Sequence, residues 1–511
     1  MTRRVMVGPL ALVVLAACSL QNLSRTTLAP EEVAAAADHG DHLKAHLKDG
    51  GVYVLDDWHV DSAGLTVSGR GDQLDANRRL IRQGALSFPV ASVALFELDR
   101  TTTSGAVAAL GVVSGITVAV AVYCASNPKA CFGSCPTFYV SDGERPVLQA
   151  EGFSASIAPA LEARDVDALY RARPDSRTLE VRMTNEALET HVIRWVRVLA
   201  APRPPGSRVF ATRADRFVVA TALAAPDACR APEGDCTGAL RAFDGVERSS
   251  RADSNDLATR ETLDLTFAHP PAGRRGLVVA ARQTLMTTYL VYQALAFMGH
   301  AATEWLAGLE RGGAPAVAAA GGMGNALGWI EVLTQDEHGE WVVAGVTGET
   351  GPIATDVKVV PLPGTGTGPL HVRLRLTQGD WRLDWVALAS LGPEVQPVRL
   401  DPVHVTRAGV PDEAARQLLL DSSKVLTTLP GDAYTLTYRL PEDFADYELF
   451  LDSRGYYLEW MRSEWLAEED HARAMQLLLD PHAALRALAP AYKRQEAGMD
   501  SVFWRSRYAR H

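Results

Sequence analysis

The sequence lacks the short motifs by which many catalytic folds are identified. It contains no HExxH metal motif, no P-loop, no GxSxG nucleophile elbow and no dinucleotide fingerprint. These absences argue against the corresponding hydrolases, nucleotide-binding proteins and dehydrogenases. A pair of catalytic carboxylates leaves no local motif, so a glycosidase stays open. On balance the sequence favours a non-catalytic protein.

An excess of basic residues is also missing. The 511 residues include 50 Lys and Arg against 61 Asp and Glu, a net charge of −11, and no dense Lys/Arg stripe. Phosphate binding needs a basic surface, so we expect no nucleic-acid partner. With 47% hydrophobic and 22% charged residues the chain is globular, and its length predicts two to four domains.

Residues 1–18 have the layout of a secretory signal. Arg3 and Arg4 precede an apolar run from Val5 to Leu15, which is too short for a permanent membrane helix. The end of the run, Leu15-Ala16-Ala17-Cys18, resembles a lipobox, at which a bacterial signal peptidase cuts once a lipid is attached to the cysteine. The resemblance implies lipidation at Cys18, palmitate included, and a place in the cell envelope. Ser19 resembles the residue that sorts lipoproteins to the outer membrane.

Five cysteines remain after Cys18. Cys229 and Cys236 close a short loop, for which an oxidising envelope predicts a disulfide. Cys131 and Cys135, in CFGSC, form a second candidate pair. A zinc site is the alternative for these four cysteines, although none of their spacings is CxxC.

The N-terminal third divides into three predicted segments. Residues 19–48 form a polar tether whose His39, His42 and His46 would share one helical face, either as metal ligands or, more simply, as a solvated face. Residues 49–103 read as a small curled β domain. Residues 104–126 form an apolar, glycine-rich helix with a GxxxG face, and 104–123 would either enter a membrane or be buried in protein. We name no metal and no cofactor.

Residues 127–283 are expected to form a β-sandwich-like domain of short alternating strands. Its first hairpin contains Cys135-Pro136-x-x-Tyr139-x-x-Asp142-Gly143-Glu144, which resembles a segment of uncharacterised secreted bacterial proteins; the same Asp-Gly is also ordinary turn chemistry. Residues 284–327 predict a helix and a linker. In the helix, His300 and Glu304 lie one turn apart, as an acid/base pair or as mutual hydrogen-bond partners.

Residues 328–452 predict a second β-sandwich-like domain, and residues 453–511 a helical C-terminal region. Leu370–Leu376 and Trp381–Trp385 alternate apolar and polar residues around a Gln-Gly-Asp turn, which predicts a half-buried antiparallel pair. The segment GDWRLDWVAL is similar to closing strands of jelly-roll carbohydrate-binding modules. Trp381 and Trp385 are therefore either core residues or a sugar-binding platform.

The sequence thus predicts a mainly β protein with helical insertions: antiparallel sandwich-like domains, a small N-terminal sheet, one apolar helix and a helical C-terminus. The expected function is a lipid-anchored envelope module that binds or scaffolds without catalysis. The alternative is a carbohydrate-binding or carbohydrate-active protein that uses the Trp-rich second sheet. The expected partners are the membrane, through the lipid and residues 104–123, and an envelope protein or glycan.

Overall fold

The computed structural model describes residues 22–102 and 135–506, apart from short gaps at 29, 37–41, 48–51, 62, 75–79, 155, 188, 303–304, 306–321, 349–350, 365–367, 430, 460–464 and 466–467. The chain divides into two compact units, Met1–Val113 and Ser114–His511. The fold is mainly β with several antiparallel sheets, as predicted. The signal segment and the apolar segment 104–126 lie outside the described residues. Within the described part, no helix has both the length and the apolar character of a membrane span.

Unit 1 is a single six-stranded antiparallel sheet, here called sheet I. Its strands are β1 (Asn22–Leu28), β2 (His42–Leu47), β3 (Val52–Val60), β4 (Thr66–Leu74), β5 (Leu80–Pro89) and β6 (Val93–Thr102), in the order β1-β6-β2-β3-β4-β5. A short helix, α1 (Val33–Ala36), contributes Val33 to the core. One face is apolar and includes Leu43, Leu55 and Phe96, while the other carries polar side chains, as expected for an antiparallel sheet with one solvated side.

Glycines in β4 allow this sheet to coil. A Cβ on Gly71 would lie 1.9 Å from the carbonyl oxygen of Val54, and one on Gly69 would lie 2.2 Å from that of Asp57. The paired backbone of β3 therefore approaches β4 more closely than any side chain permits. A strand register shift between Leu55 and Asp57 marks the same bend.

The first two strands correct the tether predicted for residues 19–48. β1 pairs along its length with β6, and β2 lies between β6 and β3. His42 and His46 are therefore on a strand rather than a helix, and His39 lies outside the described residues. Short alternating stretches beside polar residues resemble a tether in sequence, because β6, the strand with which both of them pair, lies 46 to 80 residues further along the chain.

Unit 2 begins with two sheets that form its first sandwich. Sheet II contains β7 (Thr137–Ser141), β8 (Pro146–Glu151), β10 (Thr178–Thr184), β25 (His404–Arg407), β26 (Val410–Pro411) and β28 (Ala433–Arg439), in the order β26-β25-β28-β10-β7-β8. Sheet III contains β9 (Ala163–Ala168), β11 (Glu189–Pro202), β24 (Val398–Leu400), β27 (Leu426–Thr428) and β29 (Tyr447–Glu459), in the order β24-β11-β29-β9 with β27 also on β11. Helix α4 (Glu413–Leu420) adds Ala415 and Leu419 to their shared core.

Two further sheets form a second sandwich. Sheet IV contains β12 (Arg208–Ala211), β13 (Phe217–Ala224), β16 (Arg248–Ser249), β18 (Arg275–Gln283), β21 (Asp356–Pro361) and β23 (Trp381–Val395), in the order β13-β12-β21-β18-β23-β16. Strands β13 and β23 also pair, so the sheet curls back on itself. Sheet V contains β14 (Ala228–Ala231), β15 (Gly234–Asp235), β17 (Arg260–Phe267), β19 (Ile330–Gln335), β20 (Trp341–Thr347) and β22 (Leu370–Thr377), in the order β15-β14-β17-β22-β19-β20.

The four sheets stack in the order II, III, IV, V with an apolar core at each interface. In β11, Val196 and Val198 face sheet II, whereas Leu199 faces sheet IV. In β18, Leu277 faces sheet V and Val278 faces sheet III. Sheets III and IV are therefore buried on both faces, which accounts for the apolar runs in the sheet IV strands β13 and β18.

The two sandwiches are nested rather than consecutive. Sheets II and III are built from residues 137–202 and 398–459, and sheets IV and V from residues 208–395. This differs from the predicted succession of domains 127–283 and 328–452. The returning strand β28 pairs with β10, more than 240 residues earlier, and such a distant pairing has no local sequence signal.

The strands β22 and β23 are not the predicted antiparallel pair. β22 pairs with β17 and β19 in sheet V, and β23 pairs with β18 in sheet IV. The turn at Gln378-Gly379-Asp380 leads from one sheet to the other, so the apolar faces of the two strands meet across the core. Alternation shows that one face is buried, and both arrangements satisfy it.

Helices cover one part of unit 2. α2 (Leu285–Met298), α3 (Gly322–Leu327), α5 (His471–Leu479) and α6 (Pro481–Ser506) share an apolar core. The helix predicted from residue 284 is present, with Thr284 as its N-cap and Gly299 (φ +53°) as its C-cap. Most of the residues from there to the predicted end at Gly312 lie outside the described part of the chain. The predicted C-terminal helices are confirmed.

Candidate functional site

The cysteines divide into one confirmed pair and one free thiol. Cys229 and Cys236 form a disulfide with a Cα–Cα distance of 5.0 Å, closing the β14–β15 hairpin as predicted. Cys135 is buried and carries a free thiol, so the predicted disulfide with Cys131 is not formed. The thiol of Cys135 lies near the carboxylates of Glu151, Glu189 and Glu459. Cys18 and Cys131 lie outside the described residues.

Of the two predicted tryptophans, one is buried and the other is half-buried. Trp381 is 1% exposed and belongs to the core between sheets IV and V. Trp385 is half-buried and packs against Phe210 and Phe243, with ring centroids 6.2 and 6.4 Å away. Stacking on a sugar needs an exposed ring, so Trp381 is a core residue and not part of a sugar-binding platform.

A bulge separates the two tryptophans. Ala280 pairs with Trp385 and Ala281 with Leu383, which leaves Asp384 as the extra residue of β23. Trp381 and Leu383 therefore face sheet V, whereas Trp385 faces sheet III. The Asp384 carboxylate accepts hydrogen bonds from the backbone N–H groups of Asp244 and Gly245 at 3.2 and 2.9 Å. The expectation that Trp381 and Trp385 share one face of the strand is wrong, because the sequence gives no reliable sign of the bulge between them.

The hairpin that follows Cys135 forms as predicted, with β7 and β8 joined at Asp142-Gly143. The Asp142 carboxylate accepts from the N–H groups of Glu144 and Arg145 at 2.9 and 3.0 Å, and Gly143 has φ +99°. These contacts are turn chemistry. His300 is hydrogen-bonded through Nδ1 to Glu469 Oε2 at 2.7 Å, while Glu304 lies outside the described residues.

A group of polar residues near Cys135 was not predicted: Glu151, Glu189 and Glu459 act on its thiol, and His191 is bonded to Glu189. We call it the thiol cluster: Cys135, Glu151, Glu189, His191 and Glu459. His191 Nε2 lies 2.7 Å from Glu189 Oε1, with both side chains fully buried. Burial raises the pKa of the Cys135 thiol well above its usual range, and the nearby carboxylates raise it further. A thiol held protonated is a poor nucleophile.

A second unpredicted group joins sheets III and IV. Lys358 Nζ lies 2.7 Å from Asp356 Oδ2 and also donates to the carbonyl of Val166. Asp356 Oδ1 accepts from the backbone N–H of Ala168 at 2.8 Å. Burial raises the pKa of neighbouring Asp165 to about 6, against the opposing effect of Lys358. These contacts hold β21 against β9, which is a structural use of buried charge.

A fully buried carboxyl lies beneath helix α2. Asp380 Oδ1 accepts from the hydroxyl of Thr287 at 3.0 Å, and Oδ2 has no hydrogen-bond partner among the described residues. The backbone N–H of Thr284 donates to the Asp380 carbonyl at 2.8 Å. Burial raises the pKa of Asp380 to about 7.

Unit 1 contains an open concavity of about 800 Å³ on the coiled part of sheet I. We call it the β3–β5 groove. Its lining comes from three strands and consists of Asp57, Trp58, His59, Ser68, Gly69, Arg70, Arg82, Ala85, Leu86 and Ser87. Its volume is within the range of ligand sites, which is about 300–1,000 Å³.

Strand register arranges the groove in two polar rows. Asp57, Arg70 and Ala85 are opposite one another on β3, β4 and β5, and so are His59, Ser68 and Ser87. These six side chains point to the solvated face, since the alternate residues Val67, Leu86 and Phe88 are buried on the other one. Ser68 Oγ lies 2.9 Å from Ser87 Oγ. In sequence these residues look like ordinary exposed strand positions.

Among the described residues, no three His, Cys, Asp or Glu side chains are grouped for a metal ion. No protein-family model, curated protein or solved structure matches the chain. The groove is therefore the candidate functional site on geometric grounds alone.

Proposed function

We propose that the protein is a lipid-anchored component of the bacterial cell envelope, held at the outer membrane, that binds an envelope partner without catalysis. The β3–β5 groove is its binding surface. The observation that carries this proposal is the contrast between the two units. The acidic residues buried in unit 2 act as internal clamps, whereas unit 1 displays polar side chains around a ligand-sized concavity.

Export is supported by two independent features. The segment ending at Cys18 has the sequence of a lipidation site, and the Cys229–Cys236 disulfide is typical of proteins from oxidising compartments. Two or more acyl chains give stable anchoring, at about 0.8 kcal/mol for each buried methylene.

The position of β1 supports a location of unit 1 close to the proposed anchor. β1 begins at Asn22, four residues after Cys18. An extended chain covers at most about 3.6 Å per residue, so the first strand would start within about 15 Å of the lipidated cysteine. Unit 1, which contains the groove, would therefore lie near the membrane surface.

Anchoring is tested with Cys18→Ala expressed in a two-membrane bacterium. The parent chain should fractionate with the outer membrane and show the intact mass of an acylated protein. The variant should lose both properties. Equal mass and equal membrane fraction for the two chains would refute the lipid anchor.

Binding is tested with the immobilised full chain and solubilised envelope fractions, analysed for both protein and glycan. A retained component should be lost with Arg70→Glu/Arg82→Glu and kept with Arg439→Glu. Arg439 is the matched control because it is an exposed arginine at the end of a strand of unit 2. Retention that is the same for all three chains would refute the groove as the binding surface.

A further inference from the structure

We propose that the β3–β5 groove recognises an acidic saccharide, meaning a glycan segment that carries a carboxylate or another anionic substituent. This inference rests on the proposed function only in taking the groove as the binding surface. It follows from the charges, the hydroxyl groups and the shape of the groove.

The groove is locally basic within an acidic chain. Its lining includes the exposed arginines Arg70 and Arg82 and a single carboxylate, Asp57, whereas the whole chain has a net charge of −11. In the part of the chain that the structure describes, neither guanidinium forms an ion pair. A guanidinium offers a planar set of donors that matches an anionic oxygen pair on a ligand.

Polar side chains in the groove can also bind the hydroxyl groups of a ligand. Ser68 and Ser87 share one hydrogen bond across the strands, which leaves one hydroxyl proton and several lone pairs for a ligand. Exposed His59 is opposite Ser68, and exposed Asp57 is opposite Arg70. Adjacent donors and acceptors of this kind suit the closely spaced hydroxyl groups of a sugar ring.

The shape and surroundings of the groove disfavour other ligands. A peptide strand would need free backbone groups, but β4 in the groove floor is already paired with both β3 and β5. A lipid would need apolar surface, and Ala85 is the apolar side chain among the six that face solvent. Single-stranded nucleic acid would need exposed aromatic rings, whereas Trp58 packs against the core of unit 1. A free phosphate would fill only a small part of about 800 Å³.

The experiment is isothermal titration of the full chain, purified in detergent, at low ionic strength. The probes are trigalacturonate, its methyl ester and tricarballylate. The first two share the sugar backbone and differ in charge; the third carries three carboxylates without a sugar. We expect trigalacturonate to bind at least tenfold more tightly than either of the others.

Arg70→Ala/Arg82→Ala should weaken trigalacturonate binding at least tenfold, and the control Arg439→Ala should leave it unchanged. Equal affinity for the methyl ester would overturn the role of charge, and equal affinity for tricarballylate would overturn the role of the sugar. Absence of trigalacturonate binding would overturn the ligand class. If the groove variants still lose the envelope component in that case, the proposed function stands and only this inference fails.

Discussion

The buried carboxyl of Asp380 gives unit 2 a pH-dependent stability. Its folded pKa is about 7, against 3.8 for an ordinary aspartate. The folded state therefore holds a proton that the unfolded chain releases above about pH 4. The contribution of protonated Asp380 to the free energy of unfolding is complete below the pKa that this residue has in the unfolded chain. It is lost as the pH rises towards the pKa that the residue has in the folded protein.

The size of the effect follows from the shift. Three pKa units correspond to about 4 kcal/mol, of which about 2 kcal/mol is lost by pH 5 and nearly all by pH 8. Asp380→Asn keeps the acceptor for Thr287 and cannot ionise. The amide adds a pH-independent cost of roughly 1 kcal/mol, because no described group accepts from the position of Oδ2. Relative to the parent, the variant should therefore gain about 2–3 kcal/mol between pH 5 and pH 8.

The assay is urea denaturation of both proteins at a series of pH values, with hydrogen exchange of the first turn of α2 as a local measurement. The control is Asp175→Asn, a substitution at an exposed aspartate. A difference between Asp380→Asn and the parent that is constant from pH 5 to pH 8 would refute the argument, since Asp380 would then be equally ionised in both states.

Three further predictions concern stability. Replacing Cys229 and Cys236 together by Ser removes a loop closure of seven residues' separation and should cost about 2–3 kcal/mol in urea denaturation; no change after reduction of the parent would contradict this. Lys358→Met leaves the Asp356 carboxylate buried without its ion pair and should lower the free energy of unfolding by about 3–5 kcal/mol. Adding Asp356→Asn should restore stability. A double variant that stays destabilised would show that the loss of the ion pair is not the cause. Gly71→Ala places a Cβ against the carbonyl of Val54, so the backbone amides of β3 and β4 should lose their protection from hydrogen exchange. Retained protection would refute the close approach of these strands.

Local structure was predictable wherever a short pattern decides it. Alternation predicted β22, Asp142-Gly143 predicted a tight turn, and the change to a 3.6-residue period predicted α2. The Cys229–Cys236 disulfide was predictable too, because eight residues are enough to form a hairpin and bring the two sulfurs together.

Tertiary structure alone decided how those elements combine. The alternation in β22 and β23 shows one buried face each, but only packing determines that they face each other across a core instead of pairing. The bulge at Asp384 changes which sheet Trp385 faces, and its cause is an accommodation of β23 to β18 rather than a residue type. The raised pKa of the Cys135 thiol depends on its burial and on carboxylates from three strands, β8, β11 and β29.

The candidate site belongs to the same category. Asp57, Arg70 and Ser87 are unremarkable exposed strand residues until register places them side by side on the coiled face of sheet I. A sequence specifies the faces of its strands through a period of two residues, which each strand carries within itself. Neighbouring strands, bulges and sheet curvature result from contacts between distant residues, and in this protein those contacts create the groove.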